Sequence, residues 1–592
     1  MIRKLFRENR QLWGILRGMV PVMILSNLAT TLGSFVDGVV VGSCLGDVPM
    51  SSLGLSIPIV YLGTAIAGIF STGTQNRCAT AIGNGEPEEA NRYFNTSMVF
   101  LGIVGVLVTL VIELFAGPIA AALGARGAHE NLKPDLIRYL RGLALSLPLV
   151  CLTNTLSCML YIEGKKRTAL IAVLAGTAFN IAGDLSAVFV FGSGLLGIGM
   201  ATALCYLVSS VLLLIPFVKK KNRRSSMYLS LSACDPKRFP GIVKLGGSMA
   251  VVRVCHMLRT WVINTILAFV FYQAAITAFS VQNSLVSVVT CVSVGAAASA
   301  MTISSVFAGE KNWSGIRSLI KMEILYGVVL SVLVAVVCAA FRYPLVDIFT
   351  DSRQVTDIAA DAFLGYLISL PFYAVNMIFM LYFQGIRRLK TANIICVFDN
   401  FIYVCLAAVV LGYTVGLNGV WAAFPVGEVL TLITLAVMAR IYHKKPVRHF
   451  DDLLQLTDDP DLTEQTYTCD SLPRIMEVSA EAGSFALGHG ADGRTARNIS
   501  LCIEEYGKNV MEWGFREKGK PLLTVRLVRD GEQWRICLKD AGNPFDPLAW
   551  LREHGTEPRV ADEQIGIRMT AGLADDLKYV QALGLNTVII TV

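Results

Sequence analysis

Up to residue 445 the chain is a succession of apolar runs separated by short polar stretches rich in Gly, Pro and basic residues. Each run is about 20 residues long, enough to cross a hydrocarbon core of about 30 Å as a helix. The pattern predicts twelve spans, at 13–36, 50–72, 95–123, 138–160, 168–191, 195–218, 243–269, 273–296, 317–341, 361–384, 392–412 and 417–441. Residues 446–465 are acidic and broken by Pro446 and Pro460, the composition of a linker. Beyond it, from 466 to 592, the period changes to that of a small α/β sandwich. It predicts an amphipathic helix near 494–513, strands at 522–528, 534–539 and 586–592, and a helix near 566–577.

Composition agrees with a polytopic membrane protein. Of 592 residues, 54% are hydrophobic and 16% charged, which excludes a single water-soluble globule. An even number of spans puts both ends of the membrane part on one side. Lys and Arg between the spans gather on that side, in clusters such as Lys165–Arg167, Lys219–Arg224 and Arg387–Lys390. By the positive-inside rule both termini of a multi-pass cell-membrane protein are expected in the cytoplasm. The net charge of +7 conceals a split: 35 Lys/Arg against 20 Asp/Glu up to residue 445, then 16 against 24, so the tail is an acidic, water-facing domain. The first apolar segment, after Arg3, Lys4, Arg7 and Arg10, is too long for a signal peptide and lacks a cleavage pattern, so it reads as a retained helix. The 14 cysteines and six histidines are scattered without the spacing of a disulfide framework or metal knuckle. The expected partners are the lipid bilayer and small molecules, with no nucleic acid.

The two halves repeat. "SLP" at 146–148 recurs at 369–371, "YIEG" at 161–164 answers "YFQG" at 382–385, "GLLGIGMA" at 194–201 answers "GLNGVWAA" at 416–423, and "GNGEPEEANR" at 83–92 aligns with "AGEKNWSGIR" at 308–317. The duplicated unit is six helices long, so both copies insert the same way up. Two lobes, 1–222 and 223–445, are expected about an axis along the membrane normal.

The stretches "PVMILSNLATTLGSFVDGVVVGSCLG", "AIGNGEPEEANRYF", "FNIAGDLSAVFVFGSGLLGIGMATA" and "SLPFYAVNMIFMLYFQG" resemble the multidrug and toxic compound extrusion (MATE) family over nearly all of 1–445. The resemblance implies a cation-coupled antiporter that exports bulky, often cationic, organic compounds. Independently of it, ionisable residues at bilayer depth are costly and mark functional cavities. Asp37 lies deep in span 1 and Asp184 in span 5, with Asn180 one turn before Asp184 and Thr202 early in span 6. These oxygens suit H⁺ or Na⁺, and the set resembles the first-lobe cation site of some MATE proteins. At the repeat offset the second half shows Ile402 and Leu406 opposite Asn180 and Asp184, so the lobes are expected to be chemically unequal. Asp399 and Glu428 are secondary candidates for substrate charge, and Arg253, His256 and Arg259 make span 7 unusually basic for the interior of that family, with Arg253 and Arg259 expected to repel cationic drugs. Glu113 and Arg77 read as interfacial.

Three islands in the tail resemble the ATP-binding domain shared by histidine kinases and anti-sigma-factor serine kinases. "IEEYGKN" at 503–509 puts Glu505 and Asn509 on one helical face. The resemblance implies that Asn509 holds Mg²⁺ and that Glu505 is a general base at the γ-phosphate. "DAGNPFDP" at 540–547 implies that Asp540 accepts from the adenine amino group while Gly542 lets the backbone come close. "IGIRM" at 565–569, with "DDLKY" at 575–579, implies a helix opening at Gly566 toward phosphate. Trp513 stands where this family commonly has His, and one Gly stands where a pair is usual, so ATP with Mg²⁺ is expected to bind whether or not it is hydrolysed. "GFREKGKP" at 514–521 lacks the hydroxyl of a Walker loop and reads as a turn.

The leading expectation is an H⁺- or Na⁺-driven exporter regulated by an ATP-binding tail that docks on basic loops such as Lys219–Arg224. One alternative is a membrane sensor whose tail is a serine kinase for an anti-anti-sigma-like cytoplasmic protein. Another is a flippase for lipid-linked oligosaccharides, which basic residues in span 7 would favour.

Overall fold

The computed structural model describes residues 9–45, 47–123, 125, 130, 132–218, 227–270, 273–350, 352–456, 462–515, 521–554 and 565–592. Among these, twelve helices are long and apolar enough to cross a membrane. Spans 1 to 6 are Arg10–Val40, Ser52–Gly83, Pro87–Ala122, Lys133–Ile162, Lys166–Phe189 and Gly194–Val218. Span 7 is Pro236–Leu267, and span 8 consists of Gln273–Val289 and Cys291–Gly309, broken at Thr290. Spans 9 to 12 are Trp313–Ala340, Arg353–Gly385, Leu389–Thr414 and Leu417–His443. All twelve predicted spans are present, most of them longer than the apolar run itself, because the polar ends continue the helix into the interface.

The repeat is visible in backbone conformation as well as in sequence. Left-handed residues close the turns after spans 2 and 8, at Gly85 and Lys311, and after spans 4 and 10, at Gly164 and Arg387. The second pair moves the "YIEG" alignment by two residues, since Gly164 answers Arg387 and not Gly385. Arg387 holds this strained conformation while its Nε donates to Asn76 Oδ1 at 3.1 Å, and Asn76 Nδ2 donates to the carbonyls of Gln384 and Gly385 at 2.6 and 2.9 Å. The lobes are thus tied together at the end that carries the tail. Gln75 Nε2 donates to Thr302 Oγ1 there at 2.6 Å, and spans 2 and 8 touch backbone to backbone at Gly83 and Gly309.

The connection to the tail is more ordered than its acidic composition predicts. Lys321 pairs with Asp451 at 2.6 Å, Tyr382 donates its hydroxyl to the Leu454 carbonyl, and Leu454 is buried. Phe450 packs on Phe379, so aromatic and leucine side chains, together with the Lys321–Asp451 pair, anchor the segment. The Lys219–Arg224 cluster lies outside the described residues.

In the tail, β1 (Leu462–Cys469), β2 (Leu523–Asp530), β3 (Gln533–Asp540), β4 (Asp576–Ala582) and β5 (Leu585–Thr591) form an antiparallel sheet in the order β1-β2-β3-β5-β4. β1 begins inside the stretch read as linker. Helices α1 (Leu472–Gly488) and α2 (Gly493–Asn509) cover one face, with α3 (Pro547–His554) and α4 (Ile565–Leu573) beside the cavity described below. β1, α1, α3 and β4 are not among the elements that the pattern predicts. The predicted helix to 577 ends at Leu573, where the period changes to a strand that pairs with β5. Ile475, Val478, Ile499, Ile503, Val525, Leu527, Ile536, Leu538, Val588 and Ile590 make the core between α1, α2 and the sheet. Of the turn expected at 514–521, residues 516–520 lie outside the described residues.

Candidate functional site

Two polar clusters stand inside the membrane part. In the first lobe, Asn180 and Asp184 share one face of span 5, because four residues make about one helical turn. That face meets span 1 where Gly33 leaves room for the Asn180 side chain. Asn180 Nδ2 donates to Asp37 Oδ1 at 3.0 Å and to Asp184 Oδ2 at 3.2 Å, so one amide ties the acids of two helices together. Asp184 is fully buried, and its Oδ1 accepts no hydrogen bond among the described residues. An exchangeable cation fits this set of hard oxygens with one acceptor unsatisfied. Thr202 does not join them: its hydroxyl donates to the Ile198 carbonyl of its own helix at 3.1 Å. Tyr139 and Tyr206 are close enough to feel the acids' charge, and no spacing in the sequence links them to Asp37.

The second lobe has its own cluster, on different helices. Asn376 of span 10 donates through Nδ2 to Asp399 Oδ1 at 3.2 Å and to Glu428 Oε2 at 2.7 Å. Asp399 sits in a wide turn at Phe398–Ile402 that interrupts span 11, seven residues before Leu406, the repeat counterpart of Asp184. The lobes therefore differ in the position of their acids and not in whether they possess them. Arg259 of span 7 is near enough to Asp399 and Glu428 to act on them electrostatically. Glu323 is a further acid that periodicity did not single out. It is fully buried in span 9, accepts from Ser299 Oγ, and has Oε2 unpartnered among the described residues. Glu113 pairs with Arg141 at the exposed side of the helices, consistent with an interfacial position.

The third site is in the tail. Asp492 caps α2 by accepting from Thr495 N at 2.8 Å, which starts the helix that carries Glu505 and Asn509. A wide turn at Val510–Gly514 then swings Trp513 toward the end of β3. Tyr506, Asn509, Trp513, Asp540, Phe545 and Ile567, among others, enclose a cavity of about 340 Å³, within the usual size for a small-molecule site. Asp540 ends β3, and its Oδ1 accepts from Gly542 N at 2.8 Å and Asn586 Nδ2 at 2.9 Å. Asn586 is thus a positioning residue that no motif revealed, because it lies 46 residues away on the neighbouring strand β5.

Gly566 opens α4 directly against the acidic end of α2. A Cβ there would stand 2.8 Å from Glu505 Oε2 and 2.9 Å from Asn509 Nδ2. The three islands converge, therefore, and the contact at 566 admits only glycine without displacement. These residues fit Mg·ATP: a carboxylate at one end of an apolar, aromatic cavity, and an amide, an acid and a helix start at the other. Burial, helped by the charge of Asp540, pushes the Tyr506 phenol well above its ordinary range, so it stays a neutral wall of the cavity. Lys508, held up by Glu504 at 2.5 Å, stands 3.8 Å from Glu505.

Comparison with known proteins agrees with both parts. The MatE family model matches residues 23–186 and again 248–409, once in each lobe. The model described as Histidine kinase-like ATPase domain matches 469–592. The Multidrug export protein MepA of Staphylococcus saprophyticus is 23% identical over 442 residues, 74% of this chain and 95% of that protein. A solved structure titled as the outward-facing conformation of a multidrug resistance MATE family transporter of the MOP superfamily superposes with a TM-score of 0.67 at 20% identity, covering 71% of this chain and 93% of that one. A MOP superfamily transporter from Pyrococcus furiosus, whose title describes reversed polarity of its binding pocket, gives 0.65 at 20% identity over 71% and 93%.

Proposed function

Because this chain belongs to the MatE family, we propose that it is an antiporter which exports bulky organic compounds against an inward flow of H⁺ or Na⁺, with its tail on the cytoplasmic side. The observation that carries this reading is the Asp37–Asn180–Asp184 cluster. Two carboxylates held by one amide repel each other unless a cation lies between them. Taking up and releasing that cation changes how spans 1 and 5 pack, which is the link between ion and conformation that an antiporter requires. Asp399 and Glu428, with Arg259 nearby, give the second lobe a buried polar cluster that would meet the polar part of a substrate.

The tail is read as a nucleotide sensor for the transporter. Asp540 would take the adenine amino group, with Asn586 fixing its carboxylate; Asn509 would hold Mg²⁺ and Gly566 would face phosphate. Glu505, close to both, is the candidate general base. Mg·ATP would supply a transferable γ-phosphate there. Transport in proteoliposomes under imposed H⁺ or Na⁺ gradients, with and without Mg·ATP on the tail side, tests both halves. No transport under either gradient overturns the antiporter, and ATP-independent transport overturns the sensor.

A further inference from the structure

A sheet with helices on one face leaves the other face to be covered or wetted. In this tail the second face lies on the membrane part. Even-numbered residues of β3 (Trp534, Ile536, Leu538) point into the tail core, so Arg535, Cys537 and Lys539 point the other way. Toward the first lobe the contacts are mainly apolar and backbone, with one side-chain bond, from Gln11 Nε2 of span 1 to the Lys539 carbonyl at 3.2 Å. The β4–β5 turn, with Leu583 in a left-handed conformation, inserts so that Leu583 N donates to the Ile162 carbonyl at 2.6 Å. Gly584 lies against Gly164 so closely that a Cβ on Gly164 would stand 2.1 Å from the Gly584 nitrogen. Val580, Ala582, Leu583 and Leu585 join the apolar core of the membrane helices.

Toward the second lobe the contacts are ionic. Lys539 Nζ reaches Glu310 Oε2 at 2.5 Å, with both side chains nearly buried, and lies 5.0 Å above the Phe307 ring. Arg526 donates to the carbonyls of Glu310 and Lys311 at 3.0 and 2.8 Å, and Lys311 Nζ pairs with Asp530 at 2.7 Å. One rigid sheet therefore holds the turn after span 4 of one lobe and the turn after span 8 of the other, over the place where Gly83 meets Gly309. Opening of the transporter toward the tail separates those two lobes, and the sheet cannot follow both.

We propose that the tail is an internal clamp on opening toward its own side: it stays with the first lobe through the inserted hairpin and must release the Glu310–Lys311 turn before the lobes part there. The hairpin has no polar substitute for its buried contacts, whereas ammonium and carboxylate groups regain water on release. The clamp itself needs no nucleotide. Its control by nucleotide rests on the sensor reading, through Asp540, the residue after Lys539 on the opposite face of β3.

Hydrogen exchange with mass-spectrometric readout on the full-length protein in lipid nanodiscs tests the clamp. We expect protected amides at 72–86 and 300–312. Lys311→Glu and Asp530→Lys should each speed exchange in both segments by about fivefold, the factor set by one partly exposed ion pair. The doubly reversed protein, Lys311→Glu with Asp530→Lys, should regain part of the protection, less the repulsion of Arg535, which faces position 530 from β3; a misfolded variant would regain none. Unchanged exchange in both single variants, or faster exchange confined to the tail with the lobes still protected, overturns the clamp. No nucleotide is added, so failure of ATP binding leaves this result standing, and failure of the clamp leaves the nucleotide site untouched.

Discussion

Lys539 and Asp540 are neighbours on β3 and face opposite sides of the sheet. The ammonium of Lys539 meets Glu310 of the second lobe, and the carboxylate of Asp540 lines the tail cavity, fixed by Gly542 N and Asn586. A shift of the strand end moves both, because successive residues of a strand face opposite sides of one backbone.

Asp540→Asn should weaken Mg·ATP by about 1.5–3 kcal/mol, the range for losing a hydrogen bond to a charged group. Titration calorimetry on the full-length protein measures it, and substrate binding to the membrane part should be unchanged. Glu505→Ala should leave affinity nearly intact while removing any phosphoryl transfer, read by release or transfer of labelled phosphate.

Gly566→Ala places a methyl 2.8 Å from Glu505 Oε2. The methyl displaces the ends of the Glu505 and Asn509 side chains, the groups proposed at the phosphate and Mg²⁺, and this should appear as weaker nucleotide binding with the sheet intact by circular dichroism. Equal affinity for the alanine variant would mean that α4 relaxes away from α2.

Asp37→Asn and Asp184→Asn should each abolish gradient-driven export with little change in thermal unfolding, since either amide preserves shape and removes a charge. Asn180→Ala should differ from both. It leaves two hydrogen bonds unmade inside the membrane part, so a stability loss of about 1–3 kcal/mol should accompany the loss of transport.

The Lys311 ammonium holds the Asp530 carboxyl below its ordinary value of 3.8. A group whose value is depressed by docking favours the docked state in full above the ordinary value, and that contribution is lost as pH falls through the depressed one. Protection of the Glu310–Lys311 turn should therefore fall on acidification below about pH 4. In Lys311→Met the fall should be shallower, measured by the same exchange experiment.

Much of this protein is written in local pattern. Twelve apolar runs, the duplication and the basic clusters are consequences of chain composition against a hydrocarbon slab, and the slab is the same for every residue along a run. Asn180 and Asp184, like Glu505 and Asn509, are pairs on single helices, so the helical period alone aligns them. The tertiary structure decided what lies between elements. It left Thr202 bonded to its own helix, brought Asn376 to Asp399 and Glu428 across three spans, and set Asn586 behind Asp540 from a strand far along the chain. It also made the acidic connection an anchored segment and turned the free face of the tail sheet onto both lobes. Periodicity says which face of an element is apolar or polar; which partner meets that face depends on how distant elements pack, and packing is a property of the whole chain.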